Sequence, residues 1–211
     1  VPPASPANVK VPLTLNGDYT VGTGGVFPTI TAAVAEYNVS CLAGPVRFVL
    51  INTSYPSETF PIIINNNVDA SSINTLTIQP AIANVGITTI SGSSATSIFK
   101  LNEARNVIIN GAKTNSTSRD LSIVNTSTAS GTSAFWLSNT SGSGTTNNTV
   151  SSCIISCGVD QSVATTETYG IFCGGSFIGS SSGVHVSNTF YLNDISKVRW
   201  GIYITGGTTT L

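Results

Sequence analysis

The residues of this chain that could take part in acid–base catalysis are carboxylates with basic neighbours in the sequence. Hydrolysis of a glycosidic bond needs two carboxyl groups about 5 to 9.5 Å apart, one serving as an acid and the other as a base or nucleophile. No pair of acids recurs at a regular interval, and isolated charges usually lie in solvated turns. The sequence therefore favours charged turns, with Glu103 and Arg105 as the remaining catalytic candidates. The charged groups considered are Glu103 with Lys100 and Arg105, Asp120 with Arg119, and Asp194 with Lys197 and Arg199.

Three of the four cysteines and the single histidine are the residues that could bind a metal. Cys153, Cys157, Cys173 and His185 could in principle supply three sulfur ligands and one nitrogen ligand to zinc. Their spacing matches no common zinc motif, and on an extended strand Cys153 and Cys157 would stand about 13 Å apart. We therefore predict buried core thiols, place a disulfide second, and predict no metal and no cofactor. His185 stands between two valines and is expected to face outward from a strand.

A repeated five-residue strand indicates what would position these side chains. Each copy is almost continuously apolar, and the chain between copies is rich in Ser, Thr, Asn and Gly. A period of this length is typical of stacked repeat architectures, and the strand-like copies predict a coil of parallel strands. The four copies, which follow one another after 36, 36 and 31 residues, are Ser97–Leu101, Ser133–Leu137, Tyr169–Cys173 and Trp200–Ile204.

Lys100 sets the direction of the side chains in this repeat, because a charged side chain is rarely buried. If Lys100 points outward, Phe99 and Leu101 point into the core. A row of outward aromatic rings suggests a flat platform for sugar rings or a partner protein. The alternative is that the rings stack on one another or lie beneath a loop such as Asn139–Asn148. The predicted ligand-binding row is Lys100, Trp136, Phe172 and Tyr203, and the inward rows are Phe99, Phe135, Ile171 and Ile202, and Leu101, Leu137, Cys173 and Ile204.

The chain before the repeat predicts how the coil begins. Four of the nine prolines precede residue 13, so residues 1–18 are expected to form a proline-rich linker or tail. From residue 19 to residue 211 we predict one parallel β-helix that continues beyond the chain end. Residues 31–37 predict a short amphipathic helix with Thr29 or Thr31 as its cap. Its apolar face would consist of Ile30, Ala33, Val34 and Tyr37.

The composition excludes several function classes. Charged residues make up 8% of the 211 residues, and 8 Lys and Arg balance 9 Asp and Glu, so no basic surface is available for nucleic acid. The apolar runs are too short to span a bilayer. Hydrophobic residues make up 40% of the chain and come in strand-length pulses, which favours a packed core over disorder.

The order of the N-terminal segments resembles the opening of the right-handed parallel β-helix proteins of the pectin-lyase-like superfamily. A helix, a buried strand, a Tyr55-Pro56 turn, Glu58 and an apolar strand follow one another. The resemblance implies a helix that closes the end of the coil, and it implies polysaccharide lyases or hydrolases with acids, Arg or Lys on an outer sheet face. Four further segments look like secreted and surface β-helix modules of Bacteroidota, namely the helix region from Tyr19 to Val34, Ile90–Ala95, Val107–Gly111 and Ser118–Asn125.

The function that the sequence favours is that of a non-catalytic, exported cell-surface module. It would contact a polysaccharide, a surface glycan or another surface protein through its outer aromatic row and its loops. The resemblance to Bacteroidota proteins implies a location outside the outer membrane, reached by type IX secretion. The alternatives are a polysaccharide lyase or hydrolase, and a structural spacer or filament subunit whose last strands meet further coils or a second chain at the C-terminal edge. Such an edge contact is expected at Thr208–Leu211.

Overall fold

The chain folds into an all-β parallel solenoid of about five turns with one short helix in the described part. The computed structural model describes residues 13–114, 117–158, 166–181 and 184–206. The helix α1 spans Ile30–Tyr37. The strands are β1 (Thr14–Val21), β2 (Cys41–Leu50), β3 (Ile62–Asn65), β4 (Leu76–Pro80), β5 (Thr88–Gly92), β6 (Ser97–Asn102), β7 (Val107–Asn110), β8 (Leu121–Asn125), β9 (Thr132–Ser138), β10 (Thr149–Ser151), β11 (Cys153–Cys157), β12 (Thr168–Gly174), β13 (Thr189–Tyr191), β14 (Asp194–Ser196) and β15 (Trp200–Ile204).

Three parallel sheets form the walls of the solenoid. Sheet A has the order β1-β2-β4-β7-β10-β13, sheet B has the order β5-β8-β11-β14, and sheet C has the order β3-β6-β9-β12-β15. From β4 onward the chain passes from sheet A to B to C in each turn, so a strand inside a sheet pairs with the equivalent strands of the turns before and after it. The predicted parallel coil is confirmed, while its right hand stays a prediction. No helix among the described residues has the length and apolar character that crossing a bilayer requires.

The folded body begins earlier than the sequence indicates. Strand β1 starts at Thr14 and pairs with β2, so residues 14–18 of the predicted tail belong to sheet A. The rest of that tail, residues 1–12, lies outside the described residues.

The predicted repeat is confirmed in sheet C. Phe99 pairs with Phe135, Phe135 with Ile171, and Ile171 with Ile202. The rings of Phe99 and Phe135 stack in the core with centroids 5.5 Å apart and planes 11° apart. Sheet C also contains a copy that the repeat analysis missed, because Ile62 in β3 pairs with Phe99.

The same period does not hold in the other two sheets. Extending the 36-residue offset of the repeat to these sheets predicts that Val150 pairs with Val186 and Ile154 with Phe190, and this register is wrong. Val150 pairs instead with Phe190, and Ile154 pairs with Asp194, both 40 residues apart. The physical reason is that the corners between sheets hold loops of different lengths, so the spacing between equivalent residues changes around the coil.

Helix α1 covers one end of the core. The predicted apolar face is confirmed, because Ile30, Ala33, Val34 and Tyr37 are all buried. Thr29 is the N-cap and its Oγ1 accepts a hydrogen bond from the backbone N–H of Ala32 at 3.0 Å. Glu58 adds a second cap from the connection between β2 and β3, where its carboxylate accepts the backbone N–H groups of Ile30 and Thr31, both at 2.7 Å. These acceptors pair N–H groups that a helix leaves unpaired in its first turn.

Candidate functional site

The outer row of Lys100, Trp136, Phe172 and Tyr203 forms along sheet C in the predicted register. The rings of Phe172 and Tyr203 stack with their centroids 6.0 Å apart and their planes 9° apart. The Nζ atom of Lys100 lies 4.1 Å from the ring centroid of Trp136, which is a cation–π contact. Burial lowers the pKa of Lys100.

Most of this row is covered. Trp136 is 4% exposed and Phe172 is fully buried, and with Tyr169 they form a second apolar cluster outside the core. Ile178, in the loop after β12, packs on the cluster. The indole N–H of Trp136 has no hydrogen-bond partner among the described residues. A flat platform for sugar rings needs exposed faces, so the arrangement matches the alternative in which the rings stack beneath a loop.

A polar groove lies at the corner where sheet C passes into sheet A. Its volume is about 510 Å³. It runs across three successive turns of the solenoid, and isolated parallel bridges join Arg105 to Thr146 and Thr146 to Val186 along this corner. We call it the corner groove, and it is lined by Asn66, Ala70, Ser71, Ser72, Glu103, Arg105, Asn106, Ser143, Gly144, Thr146 and Asn147.

The corner groove brings together the two catalytic candidates of the sequence, but Glu103 is occupied. Its carboxylate accepts hydrogen bonds from the backbone N–H and the hydroxyl group of both Thr140 and Ser141, including Thr140 N at 2.8 Å and Ser141 Oγ at 2.7 Å. Partial burial acts to raise the pKa of Glu103, but these hydrogen bonds outweigh it and hold that pKa below its ordinary value. Glu103 therefore anchors the loop after β9 as a carboxylate.

Arg105 presents a partly free guanidinium group. Its Nε–H donates to Asn66 Oδ1 at 2.8 Å, and the two terminal NH₂ groups have no hydrogen-bond partner among the described residues. The positive charge also acts on Tyr37, whose pKa is raised to about 12 by burial and lowered in part by Arg105. The hydroxyl of Tyr37 is buried and has no partner in the described part of the chain.

The sequence predicts that His185 faces solvent from a strand, and this prediction is wrong. The structure places His185 in the loop before β13, where it is partly buried. Its Nε2 lies 3.0 Å from the carbonyl oxygen of Gly174. Its Nδ1 lies 2.7 Å from Thr145 Oγ1 and 3.3 Å from the backbone nitrogen of Thr145. Since a carbonyl only accepts, Nε2 carries the proton, and Nδ1 accepts from both Thr145 groups. Burial lowers the pKa of His185, and the bond to Gly174 partly opposes this.

The cysteines do not pair with one another, while Asp120 and Arg119 each have a polar partner elsewhere in the fold. All four cysteines are free thiols. Cys153, Cys157 and Cys173 are buried, and burial raises the pKa of Cys153 and of Cys173 to about 12. The described residues contain no group of three or more His, Cys, Asp or Glu that could hold a metal ion. Asp120 lies 3.7 Å from Lys113, and Arg119 Nε donates to the carbonyl of Leu192 at 2.6 Å.

Sequence reasoning missed most of the groove. Asn66, Asn147 and the pair Ser143-Gly144 belong to corner loops that carry no motif and no charge. The available signal is the long Ser, Thr, Asn and Gly segment at 139–148, since binding residues tend to lie on loops that a rigid scaffold positions.

Fold and site together define a parallel β-solenoid with a polar groove at one corner. No protein-family model, no curated protein and no solved structure matches the chain. The resemblance to pectin-lyase-like modules of Bacteroidota therefore stays a proposal.

Proposed function

We propose that the chain is a non-catalytic, exported surface module that contacts a saccharide chain through the corner groove. The observation that carries this proposal is the lining of the groove, in which amide and hydroxyl side chains surround the free end of Arg105. Amides and hydroxyls both donate and accept hydrogen bonds, as the hydroxyl groups of sugars do. The three turns that form the groove are stacked at about 4.8 Å per turn, which suits an extended, repeating ligand.

The state of Glu103 favours binding over cleavage. Among the described residues, Glu103 is the one carboxylate in the groove lining, whereas a hydrolase needs two carboxyl groups, one on either side of the bond that breaks. The hydrogen bonds from Thr140 and Ser141 stabilise the charged form of Glu103, which is the opposite of what a general acid requires. A polysaccharide lyase or hydrolase remains the alternative activity, and it would have to act without Glu103 as the proton donor.

The lineage and location belong to the same proposal. The segment order around Glu58 and the motifs at Val107–Gly111 and Ser118–Asn125 support a pectin-lyase-like surface module of Bacteroidota. Such a module would be exported to the exterior of the outer membrane by type IX secretion and would act in adhesion. The low charge and the polar loops suit this setting. The spacer or filament alternative rests on contacts at Thr208–Leu211, which lie outside the described residues.

A panel of immobilised glycans tests the proposal with three proteins. The natural chain is compared with Arg105→Ala and with the control Arg47→Ala, which removes a guanidinium that is paired with Asp18 on sheet A and does not line the groove. We expect the natural chain and Arg47→Ala to bind the same glycans. Arg105→Ala should bind them about tenfold more weakly, because it loses charge-assisted hydrogen bonds to the ligand.

Two results would overturn the proposal. One is a natural chain that binds no glycan on the panel, and the other is an Arg105→Ala variant that binds as tightly as the natural chain. Shortening of the same glycans on incubation with the chain would favour the lyase or hydrolase alternative.

A further inference from the structure

His185 fastens the loop that forms one wall of the corner groove. Of the groove residues, Ser143, Gly144 and Thr146 lie in the segment that His185 contacts. The imidazole spans from Thr145 on this wall to Gly174 at the end of β12. It therefore ties the groove wall of one turn to the turn that follows. We call this set of His185, Thr145 and Gly174 the His185 clasp.

The wall packs closely against the segment that carries the histidine. A Cβ atom added at Gly144 would lie 1.7 Å from the carbonyl oxygen of Val184. Gly144 also has a φ of +66°, in the left-handed region that favours glycine. Asn188 Nδ2 donates to the carbonyl of Thr145 at 3.0 Å, and Val186 N donates to the same oxygen at 3.1 Å. The clasp is thus the titratable part of a tight contact between two loops.

Only the neutral imidazole satisfies the clasp. In the neutral ring Nε2–H donates to Gly174, and the lone pair of Nδ1 accepts from the N–H and the hydroxyl of Thr145. A second proton on Nδ1 would point at the Thr145 N–H, and it would leave that N–H without an acceptor. The hydroxyl, which accepts from Asn188 Nδ2 at 3.2 Å, would have to turn its own proton away from Nδ1 and accept there with its second lone pair. Protonation also places a charge in a partly buried site, which costs free energy.

The surroundings supply nothing that would stabilise the charged ring. The groove wall at residues 142–146 and the loop at residues 174–181 contain no titratable side chain, and the segment 184–188 contains none besides His185. Cys173, beside Gly174, is buried in the core. The carboxylate of Glu103 accepts hydrogen bonds from Thr140 and Ser141 at the start of the groove loop, whereas His185 contacts Thr145 and Gly174. The positive charge of Arg105 on the same groove would oppose a second cation.

We propose that protonation of His185 releases the Ser143–Thr146 wall, so that this wall of the corner groove is held in place at neutral pH and loosened in mild acid. This inference rests on the proposed function for its biological meaning, since it describes how binding in that groove would be regulated. The physical claim about the wall stands apart from any ligand. It can therefore be tested on the protein alone.

Because the chain has one histidine, its imidazole can be followed without assignment ambiguity by NMR. We expect the neutral ring to carry its proton on Nε2 and to titrate below the ordinary histidine value of 6.5. Amide hydrogen exchange at Thr145, corrected for the intrinsic effect of pH, should speed up about fivefold between pH 7.5 and pH 5, as the loss of one hydrogen bond predicts. The Thr140 and Ser141 amides, which bind Glu103, serve as the internal control and should not follow this change.

Two variants complete the experiment. Thr145→Val removes the hydroxyl donor, so the imidazole should titrate at a higher pH than in the natural chain. His185→Gln cannot titrate, so exchange at residue 145 should no longer depend on pH between 5 and 7.5. The proposal is overturned if the natural imidazole titrates at 6.5 or above, or if the wall exchanges equally at both pH values. A glycan panel that shows no binding, together with a pH-dependent wall, would reject the proposed function and leave the clasp intact.

Discussion

Trp136 shows how the direction of a side chain differs from its exposure. Alternation along β9 places Trp136 on the outer side of sheet C, as the sequence predicts from Lys100. Its ring is nevertheless 4% exposed, because Tyr169, Phe172 and Ile178 pack in the same outer cluster. A residue on the outer face of a solenoid can therefore contribute to stability as a core residue does.

The first prediction follows from this burial. Trp136→Ala should lower the free energy of unfolding by about 3 to 5 kcal/mol, the range for removing a buried aromatic side chain. Urea denaturation monitored by circular dichroism measures it. Lys100→Met is the matched control, since it keeps the length of the side chain over the indole and removes only the cation–π contact, worth about 0.5 to 1 kcal/mol. A Trp136→Ala variant as stable as the natural chain would instead indicate an exposed ring.

The second prediction concerns Glu103 and pH. Hydrogen bonds from Thr140 and Ser141 hold the pKa of Glu103 below its ordinary value of 4.5 in the folded chain. Its ionised form therefore stabilises the fold fully above pH 4.5, and the contribution is lost as the pH falls through the lower folded-state pKa. Glu103→Gln should cost about 0.5 to 1 kcal/mol at pH 7, because a neutral amide keeps the geometry and loses the charge.

The measurement is a comparison of urea unfolding for Glu103→Gln and the natural chain at pH 7, 5 and 3. The difference in unfolding free energy should shrink from pH 5 to pH 3, because over this range Glu103 takes up a proton in the unfolded chain before it does so in the folded chain. A difference that stays constant across this range would show that the charge of Glu103 is not what binds the loop. The solvent-exposed setting of the loop keeps the expected effect small.

At the scale of elements, buried asparagines close the corner between sheets C and A. Asn148 is fully buried, and its Oδ1 accepts the backbone N–H of Val107 at 3.0 Å while its Nδ2 donates to the carbonyl of Ala104 at 2.8 Å. The same Nδ2 lies 2.9 Å from Asn188 Oδ1 on the next turn. Asn188 in turn binds Thr145. Side chains thus satisfy the backbone groups that a sharp corner takes out of the sheets.

The third prediction tests this role. Asn148→Ala should lower the free energy of unfolding by about 1 to 3 kcal/mol, since it leaves the buried backbone N–H of Val107 without its acceptor and removes one of the two donors to the carbonyl of Ala104. The neighbouring Asn147 is the matched control because its φ of +56° is in the left-handed region. Asn147→Gly should change stability by less than about 1 kcal/mol, as glycine adopts this conformation freely. Equal losses for both variants would contradict the assignment.

The corners also explain which elements the sequence could predict. In sheet C the offset between paired residues is 36 from Phe99 to Phe135 and again from Phe135 to Ile171, so the repeat of these strands is visible in the sequence. In sheet A the offset is 41 from Ile108 to Thr149, and in sheet B it is 32 from Leu121 to Cys153. Because the corner loops differ in length from one turn to the next, the number of residues between paired positions differs from sheet to sheet.

The candidate site could be predicted only in part for the same reason. The sequence indicates Glu103 and Arg105 as candidates because they are charged residues in a largely uncharged chain, and both line the corner groove. Asn66 and Thr146 come close to them only because three turns of the solenoid stack. Stacking depends on corner lengths that a single sequence does not reveal, so the groove could not be assembled beforehand. The covering of Phe172 depends equally on the packing of a loop.

For the whole molecule, a solenoid is stabilised by contacts between neighbouring turns. Ile171 in β12 has a turn on either side and is fully buried. Its register partner Ile202 in β15 is 46% exposed, and Ile204 in the same strand is 62% exposed. Strands β13, β14 and β15 each pair on one side only within the described part of the chain. Within the described residues, a turn with neighbours on both sides should therefore be more stable than the turn of β13–β15.

The fourth prediction compares these register partners. Ile171→Ala should cost about 2 to 5 kcal/mol of unfolding free energy, and Ile202→Ala should cost about 1 kcal/mol or less, because its side chain loses little contact. Native-state hydrogen exchange should show the same gradient, with amides of β9 and β12 protected more strongly than those of β15. Equal costs at residues 171 and 202, with equal protection of β12 and β15, would mean that the turn of β13–β15 is covered in solution. That result would contradict the predicted difference in stability between β12 and β15.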